Sequence, residues 1–199
     1  WLGLSGFGVL VFDRVTGEVL DRWTSSGGGN NPGQGSAMQS DYVISLEYDS
    51  YGGVLVGTGF GLERFTNGQG QSISQNGRFE PRVFYDTDSD SNSIWAATDR
   101  GLCRYTWQFQ RDDCWDDGDD IPDDARSVRI ISPTRVMVGT ENGAALWDVT
   151  NEEVLEVWEA GEETENAKVV VHNDVTYVGF DGIGIGRFEL INSTWLSPG

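Results

Sequence analysis

Basic side chains are scarce in this chain: 13 Lys and Arg stand against 32 Asp and Glu, a formal net charge of -19, and no Lys/Arg cluster forms anywhere. Nucleic acids and anionic membranes are held through concentrated positive charge, so neither is an expected partner. No apolar run approaches the ~18 residues that a membrane-spanning helix needs, so direct membrane insertion is not expected either. No stretch of ten or more residues carries a helical period, which predicts almost no helix. Histidine is nearly absent. The single His172 follows Val169-Val170-Val171 without a Ser or Cys nucleophile of recognisable context, and reads as a structural turn residue. The glycine-rich runs Gly57-Thr58-Gly59-Phe60-Gly61 and Gly182-Ile183-Gly184-Ile185-Gly186 lack the Lys-Ser/Thr and the following helix that a phosphate cradle requires, so they read as structural turns. Acidic residues are so numerous that the spacing of carboxylate pairs carries no information about glycosidase chemistry. No catalytic residue is assigned, and the chain reads as a non-enzyme.

What the chain does contain is one pattern written five times: a glycine-centred strand end, a tight glycine turn, then an apolar strand closing on an aromatic. The copies close at Phe12, Phe65, Tyr105, Trp147 and Phe188, at spacings of 53, 40, 42 and 41. Upstream of most copies lies another apolar run, as in Tyr42-Val43-Ile44, Arg82-Val83-Phe84-Tyr85, Val128-Arg129-Ile130-Ile131 and Val169-Val170-Val171. Downstream, Phe12-Asp13 leads to Glu18-Val19-Leu20 and Trp23 at the offsets by which Trp147-Asp148 leads to Glu153-Val154-Leu155 and Trp158. Each unit therefore offers four short strands rich in β-branched and aromatic residues, the composition of an antiparallel meander. A period of about 40 residues of this kind predicts an all-β propeller of four-stranded antiparallel blades. One blade cannot bury both its faces, so blades must stack, with eight Trp and nine Phe as filling.

The blades are expected near residues 1–26, 41–80, 81–121, 125–165 and 166–199 of a single propeller segment, 1–199, with Val43, Val83, Val128 and Val169 on first, innermost strands. The glycine-rich stretch within 27–40 accounts for the longer first spacing and reads as an inserted loop. Trp1 enters at the second strand of a blade, so the reading is of an incomplete ring, finished by flanking sequence or further copies.

Cys103 and Cys114 are eleven residues apart on what should be neighbouring strands of one hairpin turning near Gln108–Gln110, which predicts a disulfide and an oxidising location. Asn192-Ser193-Thr194 is a glycosylation sequon at Asn192. Asp86, Asp88, Asp90 and Asn92 alternate oxygen donors with small residues, a pattern that in a loop can converge on Ca²⁺; with Ser91 and Ala97 where an EF-hand has Gly and an acid, it is no EF-hand, and a solvated turn is the favoured alternative. A second run, Asp112-Asp113, Asp116-Asp117, Asp119-Asp120 and Asp123-Asp124, packs eight carboxylates into thirteen residues and must be solvated, screened or neutralised by a cation.

Ile121-Pro122-Asp123-Asp124 followed by Val136-Met137-Val138-Gly139-Thr140 resembles the repeat of two-component-regulator propellers, in which a Gly-Leu-Pro-like turn precedes the inner strand and a Trp-Ile-Gly-Thr-like strand follows. Leu55-Val56-Gly57-Thr58-Gly59-Phe60-Gly61-Leu62 is similar to it, as is Ile94-Trp95-Ala96-Ala97-Thr98, where alanine replaces the usual glycine. The resemblance implies an extracytoplasmic propeller and transfers no catalytic residue. The expected role is an extracellular, cell-surface or periplasmic binding module that presents loops to protein or carbohydrate at one propeller face. The alternatives are a structural subunit of a surface layer or filament, and the propeller part of a carbohydrate-active enzyme.

Overall fold

The computed structural model describes residues 1–26, 38–67, 69–72, 81–116, 121, 124–159, 167–172, 175–180, 184–191 and 194–196, and among them every regular element is a strand. Five sheets follow one another along the chain. The first has three strands, β1 (Leu2–Leu4), β2 (Gly8–Phe12) and β3 (Val19–Trp23). The second comprises β4 (Val43–Tyr48), β5 (Val54–Thr58), β6 (Gly61–Thr66) and β7 (Gln69–Ser72). The third comprises β8 (Phe84–Ser89), β9 (Ile94–Thr98), β10 (Gly101–Tyr105) and β11 (Arg111–Trp115). β12 (Ala125–Ser132), β13 (Arg135–Thr140), β14 (Gly143–Asp148) and β15 (Glu153–Glu159) form the fourth, and β16 (Ala167–His172), β17 (Val175–Phe180), β18 (Gly184–Ile191) and β19 (Thr194–Leu196) the fifth. Strands pair only with their neighbours in sequence, and the second, fourth and fifth sheets are antiparallel throughout. These are meanders, the building unit of a propeller-like β fold.

Two compact units divide the chain: Trp1–Ile94 with Tyr105–Arg111, and Trp95–Arg104 with Asp112–Gly199. In the first unit, Val9, Trp23, Met38, Val43, Val54, Val56 and Phe65 form one core cluster, with Trp23 stacked on Phe65 at 4.1 Å between ring centroids. In the second, Met137, Ala144, Leu146, Ala167, Val169, Val178 and Phe188 form another, and Trp158 lies 4.8 Å from Phe188. Of the closing aromatics of the repeat, Phe65, Tyr105, Trp147 and Phe188 are buried core residues, whereas Phe12 is half-buried.

The repeated glycine of the second strand sets how closely sheets approach. A Cβ on Gly139 in β13 would meet the Ala167 carbonyl oxygen of the fifth sheet at 2.5 Å and would collide with the Ser127 hydroxyl. That hydroxyl donates to Ala167 O at 2.7 Å and accepts from Val169 N at 3.1 Å, stapling β12 to β16. Gly57 in β5 stands in the same relation to Ser45 and to the Phe84 carbonyl oxygen, 2.7 Å away. The glycines are there because the neighbouring backbone occupies the space a side chain would need.

Two sequence expectations are corrected. Val83 is not on a first strand, because β8 begins at Phe84; Val43, Val128 and Val169 lie in β4, β12 and β16. Asp86 and Asp88 lie within β8 and not in a loop, since the run Phe84–Ser89 follows the strand period and buries Phe84, Asp86 and Thr87. The turn is Asp90–Ser93, closed by Asp90 N donating to Ser93 O at 3.1 Å. The first blade is a sheet of three strands among the described residues, with β1 in the place of a second strand, where the sequence reading put it: Gly3 lies against Val43 as Gly57 lies against Phe84. Of the inserted stretch 27–40, only Met38–Ser40 is described; Asn192, Gly182, Ile183 and four carboxylates of the second acidic run (117, 119, 120, 123) also fall outside the described residues.

Candidate functional site

In the second and third sheets the turn between second and third strands is one device that displays a variable side chain. In Thr58-Gly59-Phe60-Gly61 the buried Thr58 hydroxyl donates to Gly61 O at 2.9 Å and accepts from Phe60 N at 3.1 Å. Thr98-Asp99-Arg100-Gly101 repeats both bonds at the same distances. Gly61 and Gly101 complete the turn at φ of 143° and 89°, where a Cβ would be strained. The residue just before that glycine points outward: Phe60 in one turn, Arg100 in the next, and Phe7, ahead of Gly8, in the first sheet.

In the first unit two of these turns converge on one short strap, residues 38–42. The Asp41 carbonyl accepts Gly6 N at 2.9 Å and Gly8 N at 3.2 Å, which fixes the turn carrying Phe7. The Tyr42 carbonyl accepts Gly59 N at 3.1 Å, which fixes the turn carrying Phe60, and Ser5 forms a bridge with Tyr42. The strap is itself pinned: the Asp41 carboxylate accepts from Ser25 N and Oγ at 2.6 and 2.8 Å, and Met38 N donates to Thr24 O at 3.1 Å. Three aromatics are thereby held in water on rigid backbone, Phe7 at 63%, Tyr42 at 59% and Phe60 at 58% exposure. Burying large aromatics is strongly favourable, so three of them exposed on segments tied to one strap make a candidate contact surface.

The opposite strand ends of the same unit also carry aromatics, whose polar atoms and rings contact the protein itself. Tyr51 donates to Ser91 O at 2.9 Å and meets Trp107 edge-on at 4.7 Å. Trp107 Nε1 donates to Asp90 O at 3.1 Å, Arg64 lies over its ring, and Trp1 Nε1 donates to the Tyr48 hydroxyl. These rings tie turns together.

The strap meets a carboxylate that composition hides. Glu63 in β6 is 1% exposed, and its Oε1 accepts Gln39 N at 2.6 Å. Strand alternation places it on the face of Phe65, opposite Val56, within the apolar packing of the first unit. Burial pushes its carboxyl up to about 7, opposed by the Gln39 N–H. The sister strands carry Leu10, Cys103, Ala145 and Gly186 at this position, and that mismatch is the signal by which sequence could have found it.

The sequence-proposed sites fare as follows. Asp86 and Asp88 share a strand face, whereas Asp90 caps the turn, its Oδ1 accepting Asn92 N and Ser93 N at 2.7 and 2.8 Å. Among the described residues no three His, Cys, Asp or Glu side chains group so as to hold a metal ion. The turn acids serve the backbone instead. Asp148 is held below the usual carboxylate range by the N–H of Asn151, then that of Thr150, then by Arg135; in Asp49 burial opposes ionisation, but Arg64 and the amides of Gly53 and Tyr51 outweigh it. Cys103 and Cys114 are joined in a disulfide between β10 and β11, their Cα atoms 4.1 Å apart. Beside it Arg104 lies against the rings of both Trp95 and Trp115, which stack on each other, and pairs with Asp112 and Glu152.

No family model matches the chain, and no curated protein matches it in sequence. Solved structures do share its fold. A protein described as the extracellular domain of a hybrid two-component system, BT3049 from B. thetaiotaomicron, matches 100% of this chain with 27% of its own, at TM-score 0.74 and 13% identity. A second from that organism, the extracellular domain of BT4673, matches 78% of the chain with 21% of its own, at TM-score 0.60 and 18% identity. The computationally designed Ika8 protein matches 98% with 56%, at TM-score 0.66 and 16% identity. The chain thus spans about a quarter or less of the two bacterial structures. At such identities the likeness is one of fold, and it agrees with the propeller-type repeat.

Proposed function

We propose that the chain is a non-catalytic extracellular binding module whose ligand is covered by the face bearing Phe7, Tyr42 and Phe60. The observation that carries this reading is the triad itself: three exposed rings fixed by backbone bonds to a single strap, on turns whose other positions repeat from sheet to sheet. Aromatics with few rotatable bonds lose little entropy on contact, and a planar apolar ligand surface, of a sugar ring or of a peptide side chain, suits them. The extracellular setting is supported by the disulfide and by the description of the bacterial structures as extracellular domains.

Calorimetric titration against a panel of soluble oligosaccharides and peptides tests the proposal. A compound that binds the wild type is expected to lose roughly tenfold or more in affinity to Phe7→Ala/Phe60→Ala, from about 0.5–1.5 kcal/mol per ring beyond area burial. The melting temperature should hold, because both rings are exposed. Undiminished binding by the double variant would place the site elsewhere.

A further inference from the structure

The strap that sets the aromatic face is held at its other end by Glu63. From Glu63 Oε1 to Gln39 N, two residues along to the Asp41 carbonyl and on to the amides of Gly6 and Gly8, the links are single hydrogen bonds on a short piece of chain. The Tyr42 carbonyl, one residue further, holds Gly59. The strap's bonds to the turns that carry Phe7 and Phe60 therefore all lie within three residues of the Gln39 amide that one buried carboxyl group holds.

We propose that Glu63 is a proton-operated clamp on the 38–42 strap: protonated, it seats the strap against β6 and holds the aromatic face assembled; ionised, it loosens the strap and weakens binding at that face. The inference rests on the binding-face reading for its functional meaning, though not for its structural test. The chemistry is that of an acid in an apolar site. A neutral carboxyl still offers its carbonyl oxygen to Gln39 N–H and fits among Val56, Phe65 and their neighbours. A carboxylate there has one amide donor, and one amide replaces little of the hydration that an ion loses. Water must then reach it, and the strap is the cover that has to move.

The surrounding elements offer no counter-ion that changes this. β5 and β7 carry no titratable side chain, and neither do Met38–Ser40. On β6 the adjacent Arg64 points to the opposite strand face and pairs with Asp49 at 2.6 Å. On β3 Asp21 accepts from Trp23 Nε1 and Arg22 donates to Phe7 O; Asp41 is held by Ser25, and on β4 Glu47 is half-buried with a partner of its own. The shift at Glu63 comes from burial, and its value of about 7 puts the clamp in the range where extracellular acidity varies.

The test needs no ligand. In ¹⁵N-labelled protein titrated from pH 5 to 8.5, the amides of Gln39, Gly6, Gly8 and Gly59 are expected to shift together with one midpoint near 7, and their hydrogen exchange, corrected for its intrinsic pH dependence, to accelerate above it. In Glu63→Gln, which keeps an acceptor for Gln39 and cannot ionise, all four should be flat across the same range. A titration confined to Gln39 overturns the coupling, and a common titration that persists in Glu63→Gln overturns the assignment to Glu63. Because these readouts are internal to the protein, a ligand panel that finds nothing leaves them intact, and the two failures are distinguishable.

Discussion

Between pH 5 and pH 8 the stability difference between Glu63→Gln and the wild type is expected to move in the variant's favour by about 2 to 3 kcal/mol. The size follows from raising the carboxyl from 4.5 to about 7, at about 1.36 kcal/mol for each pH unit of separation between folded and unfolded values. The sign is that of a raised acid: the folded state holds the proton more tightly, so its contribution is complete below the unfolded value and is lost as pH rises to the folded one. Solvent screening takes little away, since the group is 1% exposed. Urea unfolding of both proteins at several pH values measures the difference directly. Parallel stability curves would mean that Glu63 ionises on folding as readily as it does in water.

Removing the disulfide has an effect of similar size by a different route. Cys103 and Cys114 close a loop of about a dozen residues, for which the chain-entropy model gives about 3 kcal/mol. The hairpin itself should persist, because Arg104 bonds Asp112 across it, and Thr106 and Phe109 close its turn. Cys103→Ala/Cys114→Ala is the appropriate variant: alanine is what the fourth sheet carries at the first position, as Ala145, so packing is disturbed little. Wild type treated with reductant should fall to the urea midpoint of the variant, and the variant should ignore reductant. A wild type indifferent to reductant would show that the bridge constrains nothing.

How much of this was legible in the sequence follows from which residues carry redundant signals. The sheets were readable because the turn glycine, the following alternation and the closing aromatic recur at a near-constant spacing, and each of the three has its own physical cause. Gly57 and Gly139 are excluded from carrying a side chain by the next sheet's backbone, Gly61 and Gly101 by their φ, and Phe65 and Phe188 by core packing. The cysteine pairing was readable because an eleven-residue spacing around a hairpin turn leaves little choice. Asp86 and Asp88 misled because alternating acids and small polar residues favour turns by composition, while the tertiary fold drew Asp86 and Thr87 into a buried strand. Glu63 was hidden for the opposite reason: one acid in a strand looks like a solvent-facing residue until the sister strands are aligned and every one of them is uncharged there. Phe7, Tyr42 and Phe60 fell among the turn and strand signals of three separate segments, and only the bonds to Asp41 and Tyr42 bring them together.

Whether a ligand seats on the proposed aromatic face is read from the footprint of a bound compound on the backbone. The first oligosaccharide or peptide found to bind by calorimetry is titrated into ¹⁵N-labelled protein at pH 6, and the perturbed amides are mapped. The largest changes are expected at Gly6–Gly8, Asp41–Tyr42 and Gly59–Gly61, with little at the other strand ends. A footprint centred on Tyr48, Tyr51 and Trp107, with the three turns unmoved, would contradict it.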